Sequence, residues 1–246
     1  MIPILLSTAC YHNKYDNING AVLRAIKPSH IIDGLEISLL SKSECMEFKV
    51  SEELINYSAK KIISMHAASK GVVYRECTES NDILGKIKKD YDSLGVINVT
   101  FHKENIESIE YLIKQMKGYN FSIENTYILK TEKDYFKGLK KCLDLGIGLT
   151  LDVEHARNEL MRFLHPDIKK SIAEIHYSSY NPCFNHDCYS SVFERFEEII
   201  KVIKIINKPV VIEIDLRNEE ELFKEHISSS GFVISKEIAL LRSRLE

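Results

Sequence analysis

Short apolar runs recur along the chain, and each closes on a single polar residue. KIISMH ends in His66, VINVTFH in His102, FSIE in Glu124, LTLD in Asp152, IAEIH in His176 and VVIE in Glu213. Runs of this length, rich in Ile, Val and Phe, predict strands. The pattern places strands at Ile4–Ala9, Gly34–Leu39, Lys61–His66, Val96–His102, Phe121–Glu124, Gly148–Asp152, Ile172–His176 and Val210–Ile214. Between them the apolar spacing becomes helical. Ile83, Leu84, Ile87, Tyr91 and Leu94 share a face of a helix opened by Asn81, and Ile106, Ile109, Leu112, Ile113 and Met116 share one over Asn105–Lys117. Further helices are expected at Gly20–Lys27, at EELINYSAKK behind Ser51 as N-cap, at Lys133–Leu145 stopped by Gly146, at Asn158–Leu164, at Val192–Ile206 and at Lys236–Leu245.

Strands alternating with helices predict a parallel sheet. Near-continuous Ile/Val/Leu runs suit parallel strands buried on both faces. An open doubly wound sheet would gather its ligands at one switch point. A barrel brings every strand end to one mouth, which is where this chain keeps its polar residues. The expected fold is therefore α/β, a (β/α)8 TIM barrel, as a single domain over residues 1–246 with no compositional break.

Composition narrows the partners. With 33 Lys and Arg against 36 Asp and Glu, the formal net charge is −3, so the chain lacks the basic excess of a protein that tracks nucleic acid. The six cysteines form no C-x-x-C pair and read as reduced thiols, Cys183 and Cys188 near the expected site included. MIPILLSTAC has no basic n-region and reads as the first strand, and no apolar run approaches the ~20 residues of a membrane span. The expectation is a cytoplasmic protein that does not enter a membrane, of open oligomeric state.

A lone strand-end His is more often a hydrogen-bonded loop residue than a ligand, and a strand-end carboxylate is as often a cap or an ion-pair partner. Six at one topological position point instead to a divalent-metal site. Imidazole with carboxylate suits Zn, Mn, Fe or Co rather than a thiolate zinc. Glu124 and Glu213 sit where they can face each other across the mouth, bound to a common ion, and move a proton from opposite sides. His66 and His102 can complete a second position sharing Glu124, and His155 and His186 a third, giving one to three ions. Glu36 lies mid-strand and has two readings, a substrate contact or a buried ion pair. His12, His30, His165 and His226 read as surface residues, and KIKKD and KGLKK as solvated helix faces.

The order His66, His102, Glu124-Asn125-Thr126, Asp152-x-x-His155-Ala156, His176, His186, Glu213 resembles the endonuclease IV and xylose isomerase-like barrel superfamily (AP endonuclease family 2). That superfamily also contains sugar phosphate isomerases and epimerases. The likeness runs from the second strand to the eighth, with ENT and DxxHA its most specific pieces. It implies the barrel and a divalent metal. Glu124, Asp152, His176 and Glu213 match the four-ligand site of the isomerases, whose two glutamates shuttle the proton and whose counterpart of His155 holds substrate. His66, His102, His155 and His186 match the further ligands of the three-zinc endonucleases. Two departures stand out. The endonucleases carry D-x-H in the loop after the seventh strand, whereas here Phe184 stands two before His186 and Asp187 follows it. Their H-P-G reads His102-Lys103-Glu104.

The expected function is a metal-dependent isomerase or epimerase acting on a small sugar or sugar phosphate, with Lys70, Arg75 or Arg157 available to a phosphate. The alternative is an endonuclease IV-like multinuclear-zinc phosphodiesterase, which the acidic balance and the missing D-x-H disfavour. A multinuclear iron oxidase acting on a peptide and a non-catalytic metal-binding barrel complete the field.

Overall fold

Eight parallel strands pair into a closed ring. A computed structural model describes residues 1–11, 17–28, 30–125, 132–181, 184–187, 195–214 and 229–246, excepting the side chains of 132–135, 137, 157, 179–181, 184–187 and 229–233. In chain order the strands are β1 Ile4–Ser7, β2 Gly34–Ser38, β3 Ile62–His66, β4 Val99–His102, β5 Phe121–Glu124, β6 Gly148–Asp152, β7 Ile172–Tyr177, β8 Ser179–Asn181, β9 Phe184–Asp187 and β10 Val210–Ile212. The ring runs β1-β10-β7-β6-β5-β4-β3-β2, so the eighth barrel strand is β10. The loop expected after the seventh strand instead folds back as an antiparallel hairpin of β8 and β9.

Helices cross between the strands, and their ends differ from the expected ones for local reasons. The helix expected to open at Asn81 begins earlier, as Thr78–Leu94, and ends at Gly95, whose φ of 61° is the left-handed conformation glycine accepts readily. The helix expected over 105–117 shortens to Ile109–Gln115 behind a Ser108 cap. Asn105 explains the loss: its side-chain amide donates to the carbonyls of Ser69 at 2.7 Å and Val72 at 2.6 Å, and its own carbonyl accepts from Tyr74. Asn105 is thereby committed to the loop that follows β3 and cannot also start a helix. Ser41 caps an unexpected short helix, Lys42–Glu47. The first helix is Ile18–Ile26, capped by Asn17, and the last begins earlier than expected, as Ser229–Leu245.

Period-two alternation divides each strand. Leu35, Ile37, Ile63, Met65, Val99, Phe101, Leu149, Leu151 and Ile175 are buried in the apolar core with the surrounding helices. Inside the ring the chemistry is different. Two residues before the strand ends Ser38, His66, His102, Glu124, Asp152 and His176 stand Glu36, Ser64, Thr100, Ser122, Thr150 and Glu174, each at 0% exposure. Bulky aliphatic layers are usual in such barrels, so on these six strands the expectation of near-continuous apolar runs holds for the outward face, while Leu5 and Val211 keep the inward face of β1 and β10 apolar. Hydrogen bonds offset the burial: Thr100 and Asn98 donate to Glu174 at 2.6 and 2.7 Å, and the Ser122 and Thr150 hydroxyls pair at 2.6 Å. Each such bond contributes about 0.5–1.5 kcal/mol net, while an orphaned partner costs ~1–3 kcal/mol. Below this layer Gly34 is required, because a Cβ there would lie 2.0 Å from the Ile62 carbonyl oxygen of the neighbouring strand.

Asp33 ties the ring to the last helix. Its carboxylate accepts from the Ile4 backbone N–H at 2.8 Å and from Arg242 at 2.6 Å. Asp33→Ala strands the amide of a fully buried strand residue. We expect it to cost about 1–3 kcal/mol and to lower Tm by roughly 2–4 °C per kcal/mol, read by scanning calorimetry; an unchanged Tm would discard this anchor.

Candidate metal centre

Glu124 ends β5 pointing into the mouth, and the neighbouring strand ends bring imidazoles onto it. His66 Nε2 and His102 Nε2 each lie 3.1 Å from Glu124 Oε2. His155 Nδ1 lies 3.4 Å and His176 Nδ1 3.9 Å from Oε1. The His66 and His102 rings meet edge to face, their centroids 4.7 Å apart. Glu124 itself is buried. Burial alone would raise its pKa, but contact with His102, His155 and His66 holds it well below the ordinary carboxylate range.

The two sequence motifs lock each other. Asn125 accepts from the Asp152 backbone N–H at 2.7 Å and donates to the Asp152 carbonyl at 2.9 Å. Asp152 in turn accepts from the His155 N–H at 2.7 Å, capping the turn Val153–Ala156. His155 Nδ1 lies 3.0 Å from the Asn125 carbonyl oxygen. The ENT and DxxHA segments are thus one hydrogen-bonded unit that aims Asp152 and His155 at Glu124.

Across the mouth, Glu213 Oε2 stands 3.2 Å from His176 Nδ1. The other His176 nitrogen faces down, 3.0 Å from Glu36 Oε2 and 3.9 Å from Glu174 Oε1. Glu36 accepts from the Ser7 hydroxyl at 2.9 Å. A carboxylate behind an imidazole is the usual way to orient a ligating histidine. Glu36 is fully buried and reaches His176, which is the ion-pair arrangement of its two sequence readings.

Among the described residues, candidate ligand atoms gather in four groups, with the atoms of each group within 4.8 Å of one another: His66–His102–Glu124, Glu124–Asp152–His155, Asp152–His176–Glu213 and Glu36–Glu174–His176. The first three share Glu124 or Asp152 and make one continuous site of nitrogen and oxygen donors at the strand ends. This donor set fits a divalent cation of the Zn, Mn, Fe or Co class. Burial argues the same way, since buried carboxylates and imidazoles are stable only when paired or bound to a metal.

The remaining expected residues whose side chains are described stand outside these groups. Lys70 is exposed, and Arg75 is exposed and lies 3.3 Å from Glu107. The side chains of Arg157, His186 and Asp187 lie outside the described residues, as do Thr126, His12, Cys183, Cys188 and His226 entirely. His30 and His165 are on the surface, as expected. Glu174, Asn98 and Thr100 were missed by the sequence reading. The signal was present as a polar-x-polar ending on successive strands: ExS, SxH, TxH, SxE, TxD and ExH.

No protein-family model and no curated protein sequence matches this chain. Solved structures do. The D-allulose 3-epimerase from Methylomonas sp. superposes with a TM-score of 0.62 at 14% identity, covering 99% of this chain and 98% of that one. Endonuclease IV from Thermus thermophilus gives 0.63 at 15% identity, covering 99% and 100%. The probable 3-DHS dehydratase of petrobactin synthesis from Bacillus anthracis gives 0.63 at 10% identity, covering 98% and 99%. Likeness at these identities carries the fold and leaves the reaction open. The chain folds as a (β/α)8 barrel similar to these structures.

Proposed function

We propose that the protein is a divalent-metal-dependent isomerase or epimerase of a small sugar or sugar phosphate, with Glu124 and Glu213 as its acid–base pair. One observation carries the reading: both carboxylates reach His176 Nδ1, Glu213 at 3.2 Å and Glu124 at 3.9 Å, so the pair brackets one position in the mouth. Glu124, Asp152, His176 and Glu213 would hold the ion. A bound divalent cation supplies Lewis acidity toward substrate oxygens, which acidifies the adjacent carbon-bound hydrogen. One glutamate takes that proton and the other returns one to the opposite face of the carbon. Glu213 is the better acceptor. It is the more exposed of the two, 17% against 3%, and Glu124 is the carboxylate crowded by imidazoles. His155, and Lys70, Arg75 or Arg157 from the loops, are proposed to meet the substrate.

A second reading rests on the His66–His102–Glu124 group, which a single-ion isomerase does not need. Two or three zinc ions there would suit a phosphodiesterase of the endonuclease IV kind. Each reading has a fold neighbour of its kind, the D-allulose 3-epimerase for the first and endonuclease IV for the second.

Substitution separates them. Under the isomerase reading Glu213→Gln lowers solvent-proton exchange at the substrate carbon by roughly 10²–10⁴-fold, while His66→Ala changes it only a few-fold. Equal losses in the two variants would sink the single-ion mechanism. Under the phosphodiesterase reading the zinc-loaded protein nicks duplex DNA at an abasic site and His66→Ala abolishes nicking; clean protein without nicking under zinc, manganese and iron removes that reading.

Metal must compete with protons here. Burial alone would lower the pKa of His66 and His155, but contact with carboxylates prevails and raises them from 6.5 to about 9 and about 10. If His66 and His155 also ligate, as the multi-ion reading requires, their rings must lose these protons, so metal uptake should release protons at neutral pH and affinity should climb as pH rises toward 9 to 10. The same shifts stabilise the metal-free fold fully below pH 6.5, and that stability is lost as pH rises through about 9 to 10. Titration calorimetry in buffers of different ionisation heat reads the release. A metal affinity flat across pH 6 to 9 would show that these imidazoles are not ligands.

A further inference from the structure

We propose that the barrel interior holds a hard cation one layer beneath the mouth, between Glu36 and Glu174. This site is separate from the ions proposed above, although His176 stands between the two levels.

Charge is the first consideration. Glu36 and Glu174 are both at 0% exposure and face the same interior space. Among the described residues the basic group beside them is His176, 3.0 Å from Glu36 and 3.9 Å from Glu174. If His176 is protonated, the trio carries one negative charge; if it is neutral, as a ligand in the mouth requires, the trio carries two. With both carboxylates ionised the interior is left with charge that a low-dielectric core tolerates only when it is compensated, either by a cation or by a proton on Glu174, whose pKa burial and the neighbouring Glu36 raise.

Geometry is the second. Ser7 serves Glu36 Oε1, and Asn98 and Thr100 serve Glu174 Oε1. The other two oxygens, Glu36 Oε2 and Glu174 Oε2, are buried with no hydrogen-bond partner in the protein. His176 Nε2 lies near the first without the geometry of a hydrogen bond. The Ser64 hydroxyl is also buried and unpartnered, and Ser64 is the direct β3 neighbour of Glu36, on the same inward face. Unsatisfied oxygens are therefore found on the inward faces of β2, β3 and β7. The serine is an observation independent of the acids, because a hydroxyl could have turned to any acceptor in reach. Ligand atoms of Glu36, Glu174 and His176 lie within 4.8 Å of one another. Calcium, held by oxygens at ~2.3–2.6 Å in flexible geometry, suits an irregular cage from separate strands better than magnesium, which demands a near-ideal octahedron at ~2.0–2.1 Å. Donors that are oxygen apart from His176 favour a hard cation over zinc, so the two levels differ in the ion they prefer.

The experiment dialyses the whole protein against zinc and calcium together, removes free metal by gel filtration and counts both elements per chain. Wild type is expected to retain one calcium beyond its zinc. Glu174→Gln should lose the calcium and keep the zinc, and Asp152→Asn should lose zinc and keep calcium, which separates this site from the mouth. Ser64→Ala removes only one hydroxyl and serves if Glu174→Gln does not fold; it should weaken calcium retention by about tenfold or more. Wild type without calcium would overturn the proposal and assign the pair a shared proton. Calcium held equally by wild type, Glu174→Gln and Ser64→Ala would overturn it as well.

Discussion

A buried carboxylate surrounded by imidazoles is the interaction on which the rest of this structure depends. Glu124 has His66 and His102 on one oxygen and His155 and His176 on the other, at 3.1 to 3.9 Å. Such a cluster cannot be assembled by neighbours in sequence. It needs strands from several parts of the chain to deliver their ends to one place, and a closed parallel barrel does this by topology alone. It is also costly to bury unless protons or metal ions balance it, which is why the same residues that define the site also make it responsive to pH and to metal.

Support for that cluster comes from below and beside it. Asn125 and Asp152 hold each other through two hydrogen bonds, and Asp152 fixes the His155 backbone. Glu36 stands under His176 and is itself held by Ser7. Thr100, Ser122, Thr150 and Glu174 form a hydrogen-bonded floor where an aliphatic layer is more usual. A half-satisfied polar network is worse than an apolar core. The unpartnered oxygens of Glu36, Glu174 and Ser64 are therefore the places where this interior calls for something more than protein.

The fold and the reaction are decided by different residues. Outward-facing Leu, Ile, Val and Phe bind the barrel to its helices, and an epimerase, an endonuclease and a probable dehydratase all share that arrangement at 10 to 15% identity. What separates such proteins lies in the inward positions at and just below the strand ends. Here these include the glutamates Glu124 and Glu213 and the additional histidines His66 and His102. Both functional readings follow from that mixture.

The strand ends and the barrel were legible in the sequence because one period-two pattern encodes both. Apolar outward positions mark each strand, and a polar last residue marks where it opens into the mouth. His66, His102, Glu124, Asp152, His176 and Glu213 follow from that pattern, and His155 from the D-x-x-H spacing behind Asp152. Glu36 stayed ambiguous because a mid-strand carboxylate looks the same whether it meets a ligand or a histidine from a distant part of the chain. Only the closed ring put Glu36 beside His176 and Ser7. Asn105 looked like a helix residue until the fold brought the Ser69 and Val72 carbonyls to its side chain. Glu174 was hidden for the same reason. Its meaning depends on Asn98, Thr100 and His176, contacts that local periodicity does not carry and that exist only once strands distant in sequence share one interior.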